Sequence, residues 1–157
     1  QGRYDSKYIR YFKEVIQNMN DIFAKNKILD VLLKKYVNIE KEELSKSLYL
    51  SHQDILELIK NKMYIGGHGY DHLRLGKLSY EKQKKEISKT INFLKFIKAP
   101  TKKWLMCYPY GSYNAKTINL LKKKNCLAGL TVKVGSNNLD KDNLFELNRY
   151  DTNDFTK

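Results

Sequence analysis

The chain has 157 residues, 41% of them hydrophobic and 30% charged, which suits one ordinary folded domain and excludes a disordered tail or a low-complexity fibre. Its net charge is +13, but no Arg cluster, aromatic recognition motif or zinc-finger spacing accompanies the lysines. They lie as Lys34-Lys35, Lys82 to Lys85 and Lys122 to Lys124, positions of solvated helix faces, so a nucleic-acid partner is not expected. No apolar run approaches the length of a membrane span and no secretory signal is visible; Gln1 is no native initiator, so location is left open, with the cytoplasm slightly favoured.

In chain order, residues 6–24 place Tyr8, Phe12, Val15, Ile16, Met19 and Phe23 on one stripe and predict an amphipathic helix. A second helix is expected over Ile28 to Tyr36 and a third over Lys41 to Leu48. Ser51 reads as the cap of a fourth, with Asp54 near its positive end and Ile55, Leu58 and Ile59 facing the core. Residues 1–48 thus form a helical region, followed by a second part over 49–157, the two expected to make one structural unit.

Beyond Lys62 the pattern changes. Strands are expected at 63–67, 103–108, 127–132 and 145–149, with helices over 79–98 and 114–124 between them. The buried stripe of the first of these helices is Tyr80, Ile87, Ile91 and Leu94, extended by Ile97. Alternating strands and helices predict an α/β fold, parallel strands with outer helices. The 12 tyrosines suit a core more than a sugar-stacking cleft. Cys107 and Cys126, the two cysteines, are read as half-buried thiols in neighbouring strands.

Two strand ends carry chemistry. Gly66-Gly67-His68-Gly69-Tyr70-Asp71-His72 holds two of the three histidines, four apart, a spacing that brings imidazoles together in a helical turn. Neutral imidazole ligates zinc, although such a pair also serves plain hydrogen bonding. Met106-Cys107-Tyr108-Pro109-Tyr110-Gly111 fixes a sharp turn able to aim backbone N–H groups into a cleft.

Taken together, Tyr-Leu-Ser at 49–51, Gly-Gly-His-Gly-Tyr-Asp-His at 66–72, Leu78-Ser79, Cys-Tyr-Pro-Tyr-Gly-Ser-Tyr-Asn at 107–114 and Leu-Asn-Arg-Tyr-Asp-Thr-Asn-Asp at 147–154 resemble the polysaccharide deacetylases of carbohydrate esterase family 4. The end of the chain resembles members linked to bacterial surface polysaccharides. The resemblance implies a partial (β/α) deacetylase-type barrel lacking its first strands. It also implies His68 and His72 as ligands of a divalent metal, usually zinc, and the Tyr110 backbone N–H as the oxyanion donor. The implied reaction removes acetyl from an N-acetylated saccharide. The departures are equally specific. Family members take the third ligand and the general base from adjacent aspartates, and none of this chain's nine aspartates adjoins another. The pair is therefore expected upstream of Gln1, and the metal is expected to be held poorly or not at all by this chain. Cys107 stands where many members have Arg, and Arg149, Asp151 and Asp154 are the candidates for the vacant polar roles, the first two foremost. An incomplete barrel also exposes a sheet edge through which copies could pair. The alternative reading is a non-catalytic sugar-binding or structural domain on the same fold.

Overall fold

The stripe over residues 6–24 does not form one helix in the computed structural model, which describes residues 5–19, 21–37 and 39–155. Helix α1 runs Lys7–Asn18, with the Ser6 hydroxyl capping Ile9 N–H, and Met19 is already extended. The carboxylate of Asp21 accepts from Ala24 N–H and starts α2, Ile22–Tyr36. The cap wins because it satisfies a donor that helix starts leave unpaired. Asn20, inside the predicted helix, lies outside the described residues. α3 is Lys41–Leu48, as expected.

Contacts divide the chain into two units, residues 1–51 and 52–157. In the first, no described side chain is buried: Tyr8, Phe12, Val15 and Phe23 of the predicted stripe are all exposed. Helices of 12, 15 and 8 residues enclose too little volume for a core. They leave a groove of about 780 Å³ lined by Phe12, Leu29, Leu33, Tyr36, Leu44 and Leu48 among others.

The second unit holds the core. α4 (His52–Lys60) is followed by α5 (Tyr80–Phe96), β1 (Trp104–Cys107), α6 (Ala115–Lys123) and β2 (Cys126–Leu130). β1 and β2 pair in parallel. Gly67 bridges to Met106 on one side and Leu147 to Leu130 on the other, both parallel, so four segments lie in the predicted order. Only the inner two are full strands. At 63–67 the ladder stops because the Tyr64 hydroxyl, at 3.0 Å, accepts from the Leu105 N–H that a longer strand would pair. At 145–149 a turn from Asn143, whose carbonyl accepts from Glu146 N–H, interrupts it.

Trp104, Met106 and Tyr108 are fully buried between these layers, with Leu75, Ile87, Leu94, Ile97, Leu120 and Leu121. Two glycines make this possible. A Cβ on Gly67 would lie 2.6 Å from the Trp104 ring and 2.9 Å from Thr90 Cγ2, and one on Gly129 would collide with the Tyr108 hydroxyl, which donates to Phe145 O at 2.8 Å. On α5 the buried face reads Gln83, Glu86, Ile87, Thr90 and Leu94, while Tyr80 is exposed. Gln83 is satisfied by donating to Leu78 O and accepting from Thr117 Oγ1, whose backbone N–H Asn114 caps at the start of α6.

The tyrosines correct the expectation of a core role. Tyr8, Tyr11, Tyr36, Tyr49, Tyr64, Tyr70, Tyr80 and Tyr150 are exposed, and Tyr108 alone is buried among the described tyrosines. The cysteines lie on neighbouring strands as read, and both thiols are free, but only Cys107 on β1 is half-buried; Cys126 on β2 is buried. No helix among the described residues is long and apolar enough to cross a membrane.

Candidate functional site

The parallel arrangement delivers the ends of the Gly67 segment and of β1 to the same edge of the sheet, where open parallel sheets form their sites. His68 follows Gly67 directly. Its Nδ1 lies 2.8 Å from Cys107 O. A carbonyl can only accept, so Nδ1 carries the proton and Nε2 of the neutral ring presents its lone pair. His72 approaches with its own Nε2 3.1 Å from that atom, the rings meeting edge to face at 4.8 Å.

The expected convergence is present, but not through a helical turn. Residues 68–74 are irregular, with Gly69 at φ 76° and His72 at φ 53°. Left-handed backbone at a histidine is uncommon, and here it folds the second ring back over the first. Both imidazoles are exposed.

Tyr110 adjoins them. Its φ of 56° and ψ of 17° turn the Pro109–Gly111 segment sharply, and its ring lies 4.6 Å from that of His72. The Arg74 guanidinium stacks on the same ring at 4.1 Å. Sequence reasoning missed Arg74, which only the fold of the loop brings to Tyr110; its place two residues after His72 was the one available signal.

Asp71, between the histidines, faces elsewhere: its carboxylate pairs with Lys89 at 2.5 Å. Its backbone N–H donates to Glu86 Oε1, also at 2.5 Å. Glu86, only 3% exposed, was not singled out from sequence. Burial pushes its carboxyl above the usual carboxylate range, and the donating Asp71 N–H acts in the opposite direction.

The remaining candidates lie on the closing segment. Arg149 is exposed, with its N–H donating to Lys133 O at 2.9 Å. Burial raises the Cys107 thiol above its ordinary range, and the nearby Arg149 charge opposes this. Asp151 caps the turn Thr152–Asp154, accepting from Asn153 N–H at 2.9 Å and Asn153 Nδ2 at 2.7 Å, and these donors hold its carboxyl low. Its recorded contacts are those of a cap.

The histidine pair suits a divalent ion. Two nitrogens at about 2.0–2.1 Å from a tetrahedral ion are separated by roughly 3.3–3.4 Å, close to the 3.1 Å seen. The Cys107 carbonyl is the outer partner that fixes a ligand's tautomer. Yet no group of three or more His, Cys, Asp or Glu side chains able to hold a metal occurs among the described residues.

Comparison with curated proteins gave no significant match. Among solved structures, the chain is similar to the Streptococcus pyogenes deacetylase PplD in complex with acetate. The two are 25% identical, with 68% of this chain and 46% of that one covered and a TM-score of 0.59. The BpsB deacetylase domain of Bordetella bronchiseptica is 12% identical, with 64% and 48% covered and a TM-score of 0.54. A family 4 carbohydrate esterase from Streptomyces lividans, also with acetate, is 22% identical, with 58% and 46% covered and a TM-score of 0.48. The chain thus spans about half the length of these proteins. A family model described as polysaccharide deacetylase matches residues 4–128, and the chain belongs to that family.

Proposed function

We propose that the chain contributes two metal ligands and an oxyanion donor to a metal-dependent N-deacetylase acting on an N-acetylated sugar of a bacterial surface polysaccharide or its precursor. The observation that carries this reading is the pair of Nε2 atoms 3.1 Å apart, with His68 Nδ1 engaged by Cys107 O. His68 and His72 would hold the ion. When bound, a divalent ion such as zinc supplies Lewis acidity and acidifies water. The chain's own part is to orient both imidazoles and to aim the Tyr110 N–H at the oxygen on which charge develops. The ring of Tyr110, between His72 and the Arg74 guanidinium, closes one side of the cleft.

The reaction also needs a carboxylate ligand and a general base. With no adjacent aspartates in the sequence and Asp71 held by Lys89, we assign both to chain beyond residues 1–157. General-base catalysis alone is worth about 10²–10⁴-fold, so residues 1–157 by themselves should be nearly inactive. The missing third ligand among the described residues also favours a second reading, a non-catalytic sugar-binding domain that keeps the fold.

Zinc-dependent acetate release from N-acetylated oligosaccharides, compared between residues 1–157 and a longer chain carrying an Asp-Asp segment, tests both. Activity only in the longer chain, lost in His68→Ala, supports the enzyme. Equal rates from the two would overturn the placement of the carboxylates, and no activity in either would leave the binding reading. Because Tyr110 sits at φ 56°, proline there removes the N–H and also forces the turn to rearrange. Tyr110→Gly keeps both N–H and backbone, and should retain more activity than Tyr110→Pro.

A further inference from the structure

We propose that Glu86 of α5 is a positioning residue, a buried carboxylate that clamps the loop bearing His68 and His72 in the conformation that brings their Nε2 atoms together. Its exposure is 3% on a helix otherwise rich in solvated lysines. A carboxylate is costly to bury unless hydrogen bonds compensate it. Here the compensation comes from the loop itself.

Glu86 Oε1 accepts from Asp71 N–H at 2.5 Å. The same oxygen packs beneath Gly69, where an added Cβ would lie 3.3 Å from it. The Asp71 N–H thus meets an anion supplied by the protein's own helix. One turn along, Lys89 holds the Asp71 carboxylate. On the same helix face Thr90 abuts Gly67, with Cγ2 2.9 Å from the site of a Cβ there.

The loop is therefore gripped from α5 through residues 67–71, and from β1 through the Cys107 carbonyl on His68. Without Glu86, the Asp71 N–H loses its acceptor, and the exposed Lys89–Asp71 pair and the β1 contact on His68 are left to orient the loop. The consequence for metal uptake rests on the metal reading above. The clamp itself does not.

The test uses the full chain, free of metal, with ¹⁵N-edited NMR of the imidazoles followed by titration with zinc ion. Wild type should show His68 protonated at Nδ1 in a single set of signals. Glu86→Ala should lose that pattern, and its zinc affinity should fall about 10- to 100-fold, as for loss of an outer-shell partner. Glu86→Gln, which keeps one acceptor oxygen, should fall between them and carries the comparison if the alanine variant does not fold. Ile97→Val, which loosens packing at a fully buried position away from the loop, should leave spectra and affinity as in wild type. Wild-type imidazole signals in folded Glu86→Ala, or equal perturbation by Ile97→Val, would overturn the clamp. A wild-type chain that takes up no zinc agrees with a third ligand beyond residues 1–157, and the metal-free spectra then decide the clamp by themselves.

Discussion

His68 and His72 face one another through Nε2 atoms 3.1 Å apart, and the outer nitrogen of His68 is committed to the Cys107 carbonyl at 2.8 Å. With its proton on Nδ1, His68 accepts at Nε2, so the contact between the rings is a hydrogen bond donated by His72 Nε2–H, whose proton an ion held by both nitrogens would displace.

If this pair is the metal-binding element, His68→Ala and His72→Ala should each weaken zinc binding by more than the roughly 10–100-fold that an outer-shell loss costs. His52→Ala should leave it unchanged, because that ring stacks on Phe96 at 4.6 Å instead. Calorimetric titration of the three variants distinguishes them. Equal affinities across the set would contradict the assignment.

Gly67→Ala should destabilise the second unit by about 1–3 kcal/mol, the usual cost of overpacking. The new methyl would meet the Trp104 ring at 2.6 Å and Thr90 at 2.9 Å, and neither neighbour is free to withdraw: Trp104 is fully buried and its Nε1 donates to Lys124 O. Urea denaturation followed by Trp104 fluorescence measures the change.

Glu146 gives a stability term with a defined sign in pH. Tyr113 Oη, at 2.8 Å, and Asn143 Nδ2, at 2.7 Å, donate to its carboxylate and hold its pKa below the ordinary 4.5. The folded value is depressed, so the contribution is complete above the unfolded pKa and is lost as pH falls through the folded one. Stability measured from neutral to strongly acid solution should show this loss, and Glu146→Gln should flatten it. Tyr113→Phe, which removes the first donor, should cost on the order of 1 kcal/mol near neutrality and little in strong acid.

The thiols should be inert. Burial pushes Cys126 up to about 12, and since the thiolate is the reactive form, alkylation near neutral pH should be roughly three orders of magnitude slower than for an ordinary thiol. Cys107, half-buried and facing the opposing charge of Arg149, should react sooner, and Arg149→Gln should slow it. A time course of iodoacetamide labelling read by mass spectrometry orders the two sites.

What the sequence disclosed was governed by local rules. The helices over Lys41–Leu48 and within 114–124 depend on near neighbours and read directly, whereas the spacing of His68 and His72 gave their convergence but not the irregular loop that achieves it. The break near Met19 also had a local signal, Asp21, but the hydrophobic period over 6–24 outweighed it. Glu86 and Arg74 were hidden for a different reason. Their partners, Asp71 N–H and the Tyr110 ring, are 15 and 36 positions away in number and meet only when the sheet is assembled. One trace existed: Gln83, Glu86 and Thr90 recur at three- and four-residue steps, a polar line interleaved with Ile87 and Leu94 on the buried face of α5. Such a line marks polar groups that have found partners inside.

Gly129 and Tyr108 share one volume, the hydroxyl of one filling the space a side chain on the other would need. Gly129 pairs with Met106 in the parallel ladder, and Tyr108, just past the end of β1, reaches it diagonally, its hydroxyl continuing through to Phe145 O. Neither position can drift by itself. A lineage that loses the glycine must first shorten the ring, and one that loses the ring leaves a void that a larger residue at 129 can fill. Across related sequences the pair should therefore change together or not at all, small opposite large, and that record would date the packing of this sheet independently of any change at the histidines.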